Sequence, residues 1–211
     1  MGTPRGAIAS SILMNQLLSR PAGVILASGL SRRFGERNKL LVPVAGEACV
    51  RLVARAYVHA GLRPVLAVVG HQAREISDAL ADLPVHCVAN PDYELGMSRS
   101  LVRGVGALPP ATPAAVIGVA DQPFLTLAII ERIVEAWQST GAPIVVPVYG
   151  DQRGNPVLFA RRFFPELRAV EGDKGGRSVV QRHETEVAEV HIDEVRAGMD
   201  IDTLEDYQRL S

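Results

Sequence analysis

Cysteine is scarce in this chain. Only Cys49 and Cys87 occur, far apart and in no C-x-x-C pair, which argues against a disulfide framework or a zinc site and makes the cytoplasm the expected compartment. Net charge is equally sparse. Twenty-two Lys and Arg against 23 Asp and Glu leave −1, so the overall balance gives no electrostatic case for nucleic acid. No apolar run approaches the ~20 residues needed to span a bilayer, and no membrane partner is expected. Residues 7–18 are mildly apolar, but Ser10, Ser11, Asn15 and Gln16 interrupt them, against a signal peptide. Residues 1–20 read as a flexible N-terminal extension, with Met14 as an alternative start. Linkers, internal repeats and low-complexity tracts are also missing, so residues 21–211 are expected to form one domain.

The remainder is strongly patterned. Apolar runs predict strands near 22–28, 64–69, 85–89, 114–119 and 143–147, and helical spacing falls over 47–60, 72–81, 98–107 and 126–139. Past Gly150 the pattern predicts a strand near 156–160, helices near 161–169 and 174–183, a strand near 186–192 and a closing helix near 203–210. Gly61 and Gly141 follow two helices, and Thr126 is placed to cap a third. Alternation of this kind indicates an α/β fold around a mostly parallel sheet. In such sheets ligands sit outside the carboxyl ends of the strands. Gly29 follows the first strand and Asp121 the fourth, so the two are expected on one rim.

The segment from Val24 to Lys39 empties a buried strand into a loop carrying Arg32, Arg33, Arg37 and Lys39 against Glu36 alone. Small residues at Ala27, Ser28 and Gly29 let the backbone approach a ligand, and successive N–H groups in such a turn make an anion-binding concavity. Arg33 can fork onto phosphate oxygens, and Lys39 supplies a compact point charge. The P-loop pattern fails because Glu36 follows Gly35, and the dinucleotide pattern fails because Ser31 replaces a glycine. The same residues also fit a solvated basic loop. Asp121 emerges from the run 116–120 and is either a hard-oxygen ligand for a metal or a turn residue ahead of Pro123. Asp202 fits the N-cap of the last helix, with Glu205 completing a capping box. Ser98 and Ser100 follow Gly96 at a helix start, where they present hydroxyls to a ligand or cap the helix. Asn90-Pro91-Asp92-Tyr93 reads as a turn.

Leu26-Ala27-Ser28-Gly29 with Ser31, Arg33, Gly35 and Lys39 resembles the signature L-A-A-G-x-[GS]-x-R-x-G-x-x-x-K of nucleotidyltransferases. The likeness is to the branch containing the molybdenum cofactor cytidylyltransferases and guanylyltransferases. It continues through Gly96-Met97-Ser98-Arg99-Ser100-Leu101, Asp121-Gln122-Pro123, Gly154-Asn155-Pro156, Gly172-Asp173-Lys174-Gly175-Gly176-Arg177 and Asp200-Ile201-Asp202-Thr203. The resemblance implies a single-domain nucleotide-diphospho-sugar transferase fold, which is Rossmann-like. It implies that Leu26, Ala27, Ser28, Gly29, Ser31, Arg33, Lys39, Ser98 and Ser100 bind a nucleoside triphosphate. Arg33, Lys39 and Asp121 would act in catalysis, Asp121 and Asp202 would hold Mg²⁺, and Asn155, Asp173 and Arg177 would meet the acceptor. The implied reaction moves CMP from CTP to the phosphate of molybdopterin and releases pyrophosphate. The partners implied are CTP, the molybdopterin-type acceptor, and a molybdoenzyme or its accessory protein.

Two departures stand out. Ser28 replaces the Ala usual with CTP or the Gly usual with GTP, leaving GTP or another acceptor as an alternative within the fold. Asn155 stands where many relatives have His, and an amide cannot titrate near neutral pH. His59 and His71 read as helix or surface residues. A molybdenum cofactor-binding chaperone is the alternative outside enzymology. It would have no use for Arg33, Lys39, Asp121 and Asp202 together.

Overall fold

Strand β1 (Ala22–Ala27) is almost wholly apolar and buried along its length, the pattern of a parallel strand covered on both faces. It is an interior strand of the sheet in the computed structural model, which describes residues 20–34, 37–172 and 175–210. The expected N-terminal extension falls outside the described residues for positions 1–19, and so does Asp173.

The remaining elements follow the predicted alternation. After a small hairpin, β2 (Pro43–Val44) and β3 (Glu47–Ala48), come α1 (Cys49–His59), β4 (Val65–Val69), α2 (Ala73–Leu80), β5 (Val85–Ala89) and α3 (Met97–Gly106). Then follow β6 (Ala114–Val119), α4 (Leu127–Thr140), β7 (Ile144–Tyr149), β8 (Gln152–Arg153) and β9 (Val157–Ala160). The chain closes with α5 (Phe164–Arg168), α6 (Arg177–Arg182), β10 (Val187–Ile192) and α7 (Leu204–Leu210).

The sheet order is β10-β7-β9-β6-β1-β4-β5, with β8 paired to β7. β1 runs parallel to β4 and β6, β4 to β5, and β7 to β10. β9 is antiparallel to both neighbours, with Ala115 opposite Phe159 and Ile144 opposite the same phenylalanine. Alternate strand residues serve two cores. Ile25, Ala27, Val65 and Val145 pack against α1, α2 and α4 through Val53, Tyr57, Ile76 and Ile130. Val24, Val68, Ile117 and Ile144 face α3, α5 and α6 through Leu101, Val105, Leu167 and Val179.

Two capping expectations are corrected. Thr126 is extended at the N-cap of α4 but makes no side-chain cap hydrogen bond. The capping box of α7 sits one residue later than Asp202 and Glu205: Asp206 accepts from the Thr203 N–H at 3.0 Å, and the Asp206 N–H donates to Thr203 Oγ1 at 3.1 Å. Asp202 is thereby left for other contacts. The αL glycine after α4 is present at Gly141, with φ 69°.

Gly104 sets how closely α3 lies on the sheet. A Cβ there would stand 2.5 Å from Val24 Cγ1 and 2.9 Å from Val68 Cγ2, both on buried strands. Overpacking of this kind costs about 1–3 kcal/mol, partly offset by alanine's better helix propensity. Gly104→Ala is expected to lower stability by about 1–2 kcal/mol in urea unfolding. A neutral result would mean that α3 lifts off the sheet without penalty.

Candidate active site

The carboxyl ends of β1, β6, β7 and β10 border an open cleft of ≈ 1660 Å³, lined by Ser28, Gly29, Ser31, Arg33, Lys39, Asp121, Asn155, Arg177 and Asp202 among others. This is the rim where Gly29 and Asp121 were expected together.

The loop after β1 is held by its own side chains. Ser31 adopts a left-handed φ of 52°, which is uncommon for serine and turns the chain back sharply. Its hydroxyl accepts the Lys39 backbone N–H at 3.2 Å and donates to Asn38 Oδ1, also at 3.2 Å. Asn38 Oδ1 in turn accepts the Leu40 N–H at 3.0 Å. Phe34 anchors the loop from below, packing with Val42, Val44, Cys49 and Ile201 and lying edge-on to Tyr207 at 6.1 Å. Space above Gly29 is open, with no atom within 4 Å of where its Cβ would stand.

Two carboxylates, Asp121 and Asp202, meet this loop, with Asp200 beside them. Asp121 follows β6, and its backbone oxygen accepts the Ile201 N–H at 2.9 Å, which draws Asp200 and Asp202 to the same place. Lys39 Nζ donates to Asp121 Oδ2 at 2.5 Å and to Asp202 Oδ1 at 2.8 Å. Arg33 donates to Asp202 Oδ2 at 2.8 Å from an exposed position. Burial opposes the Lys39 charge, but Asp121 and then Asp202 outweigh it and hold the ammonium above its ordinary range. Burial likewise opposes the Asp202 charge, and Lys39 and Arg33 overcome it and lower its pKa.

Asp121 Oδ1 is buried with no hydrogen-bond partner. A buried carboxylate oxygen without a partner costs free energy, and that deficit suits a site completed by a cation. Among the described residues no group of three or more His, Cys, Asp or Glu is arranged to hold a metal. Two carboxylates fit an ion such as Mg²⁺, which takes one or two from protein and the rest from water and phosphate.

Gln122 belongs to this cluster, although the motif Asp121-Gln122-Pro123 assigned it no role of its own. Its Nε2 donates to Asp200 Oδ1 at 2.8 Å and to the Gly198 oxygen at 3.1 Å. Burial around the Asp200 carboxyl and the nearby Asp121 charge push its pKa up to about 6. An acid raised by folding contributes stability fully below its unfolded pKa near 4, and that contribution is lost as pH rises through about 6. Asp200→Asn is therefore expected to stabilise the metal-free protein by about 1 kcal/mol at pH 7.5, allowing for solvent screening of an exposed residue, and to change little at pH 4. Urea unfolding at both pH values checks this, and equal effects would contradict it.

The other expected site residues divide. Leu26, Ser100, Asn155 and Arg177 line the cleft, whereas Ala27 and Ser98 do not. Ala27 faces the core against α1. Ser98 is buried in the first turn of α3, its N–H donating to the Gly172 oxygen at 3.3 Å. The Asn155 backbone oxygen accepts the Tyr149 hydroxyl at 2.7 Å. Arg177 opens α6 and is exposed.

Asn90 is more than part of a turn. It is buried and donates from Nδ2 to Ser100 Oγ at 3.0 Å, and Ser100 shares a hydrogen bond with the Ser28 hydroxyl. At the opposite end of the cleft Arg153 pairs with Glu189 and Glu184, both at 2.6 Å, beside His191. No motif marked these last four residues, because their pairing depends on β8 lying beside β7.

A basic loop, clustered carboxylates and an open cleft at strand ends form one arrangement, and a family model described as the MobA-like NTP transferase domain matches residues 23–187. The chain belongs to the MobA-like NTP transferase family. Within and around this family, nicotine blue oxidoreductase of Paenarthrobacter nicotinovorans is 28% identical over 200 residues, covering 89% of this chain and 95% of that protein. Rv0371c of Mycobacterium tuberculosis H37Rv is 30% identical, with a TM-score of 0.82, covering 91% of this chain and 97% of the other. A crystal structure of Rv0371c in complex with manganese is similar at 28% identity and TM-score 0.76, covering 91% and 98%. Membership of this family makes the chain a nucleotidyltransferase. No helix among the described residues is long and apolar enough to cross a membrane.

Proposed function

We propose that this nucleotidyltransferase moves CMP from CTP to the phosphate of molybdopterin. The observation that carries the reading is the cation-linked pair Asp121–Lys39–Asp202 beside Arg33 at the mouth of the loop after β1. Arg33 and Lys39 would bind the triphosphate, and Asp121 and Asp202 would hold a divalent ion. The unpartnered Asp121 oxygen and the manganese complex of Rv0371c support that assignment. When bound, such an ion neutralises phosphate charge.

The acceptor phosphate forms a bond to the α-phosphorus, and the bond from that phosphorus to the bridging oxygen breaks, so the electron pair leaves with pyrophosphate. A phosphate monoester, with a second pKa of about 6, is already largely ionised at neutral pH. No titrating side chain is needed at Asn155. This chain's residues align the two phosphates and offset their charge. Arg177 and Asn155 line the part of the cleft assigned to the acceptor, and Asp173 of the same motif is assigned there from its sequence position.

The similarity to nicotine blue oxidoreductase over nearly that protein's whole length favours a second reading, in which the same cleft hosts a redox reaction. Thermal shift separates the two. A ligand binding only the folded state stabilises it by about 2.7 kcal/mol at a hundredfold excess over its dissociation constant. A magnesium-dependent rise in Tm with CTP, exceeding GTP, ATP and UTP, is the expected result. A rise with GTP alone moves the donor. A rise with a nicotinamide nucleotide and none with any triphosphate overturns nucleotidyl transfer.

A further inference from the structure

Where β1, β4 and α3 meet, Ser28 and Ser100 line the cleft and Asn90 lies behind them, 1% exposed. The two hydroxyls share a hydrogen bond, and Asn90 Nδ2 donates to Ser100 Oγ at 3.0 Å. The direction of the Asn90 amide is fixed independently. Its Oδ1 accepts the Asp92 backbone N–H at 3.1 Å. A backbone N–H can only donate, so the amide oxygen faces Asp92 and the NH₂ faces Ser100.

The proton count then has one outcome. The two hydroxyls own two protons, and one of these lies in the bond between them. Ser100 Oγ already accepts from Asn90, and neither hydroxyl has a further side-chain partner among the described residues. Whichever serine donates to the other, one O–H remains for the cleft.

We propose that Asn90 is a positioning residue for the choice of nucleobase. It fixes the Ser28–Ser100 pair as a hydroxyl donor that selects a base presenting an unprotonated ring nitrogen, as cytosine does at N3. Uracil, of the same size, presents an N–H at that atom and is disfavoured. The proposal rests on the cleft being the nucleotide site.

Asn90→Asp is nearly isosteric and reverses the polarity. Its carboxylate accepts from both the Asp92 N–H and the Ser100 hydroxyl, so Ser28 must donate to Ser100 and no proton remains for the base. Losing or opposing one hydrogen bond at such a buried wall changes affinity about tenfold.

The experiment is calorimetric titration at pH 8 with Mg²⁺, using CTP, UTP and inorganic triphosphate. Wild type is expected to prefer CTP to UTP. In Asn90→Asp that ratio is expected to fall about tenfold or to invert, with triphosphate affinity within about twofold of wild type. A merely structural role for Asn90 would weaken all three ligands together. Ser100→Ala, which cuts the chain between Asn90 and Ser28, is expected to shrink the same ratio and keeps the test open should the aspartate variant not fold. Equal binding of CTP and UTP by wild type overturns the proposal. So does an unchanged ratio in a variant that still binds triphosphate. Failure of wild type to bind any of the three overturns the nucleotide reading itself, and the proposal falls with it.

Discussion

Lys39→Ala is expected to lower turnover by about two to three orders of magnitude, the usual cost of removing one preorganised charge stabiliser from a reacting centre. Its ammonium bridges Asp121 and Asp202, and in the proposed reaction it offsets the charge that develops on the leaving pyrophosphate. Removal has a second consequence. The two carboxylates would lose their shared counterion, Arg33 would still pair with Asp202 alone, and a divalent cation would offset Asp121. The variant is therefore expected to gain more Tm from added Mg²⁺ or Mn²⁺ than wild type does. Steady-state pyrophosphate release with CTP and molybdopterin checks the first effect, and thermal melts with and without metal check the second. Wild-type turnover would remove Lys39 from the mechanism.

Asp121→Ala should produce a comparable loss by a different route. Metal-based stabilisation of a transferring phosphoryl group contributes several kcal/mol, and about 4 kcal/mol corresponds to roughly a thousandfold in rate. Lys39 keeps Asp202 as a partner at 2.8 Å, so the fold is expected to survive. The signature that separates the two variants is metal dependence. Asp121→Ala is expected to bind nucleotide equally with and without Mg²⁺, whereas Lys39→Ala retains the metal effect at lower overall affinity. Magnesium-dependent binding in Asp121→Ala would place the ion elsewhere.

Much of the architecture was legible because the parallel strands are short, continuous apolar runs. β1, β4 and β6 are buried on both faces, and that leaves a plain mark on composition. The antiparallel direction of β9 left none. Val157 and Phe159 are apolar whichever way the strand runs, and its insertion between β6 and β7 is decided by the path of the chain through β8. The capping box at Thr203 and Asp206 was misplaced by one residue because Asp202 and Glu205 have the same spacing. What decides between the two boxes is Asp202's attraction to Lys39 and Arg33, 163 and 169 positions away.

The site was legible in part for a similar reason. Motif positions after β1 and β6 implied a common rim, and the backbone hydrogen bond from Ile201 to Asp121 draws the distant D-I-D segment to it. Asn90 carried no such signal. An asparagine before proline is ordinary turn chemistry, and only the three-dimensional neighbourhood shows its amide behind Ser100. Ser98 fits the same spacing argument as Ser100, but the first turn of α3 directs it away from the cleft lining.

The most direct measurement follows the α-phosphate itself. The protein is incubated with CTP labelled at that position, Mg²⁺ and molybdopterin, and the label and pyrophosphate are followed together. The expected result is label transferred to the pterin phosphate with one pyrophosphate released per label. Label remaining wholly in CTP, with the protein folded and metal present, would contradict the account.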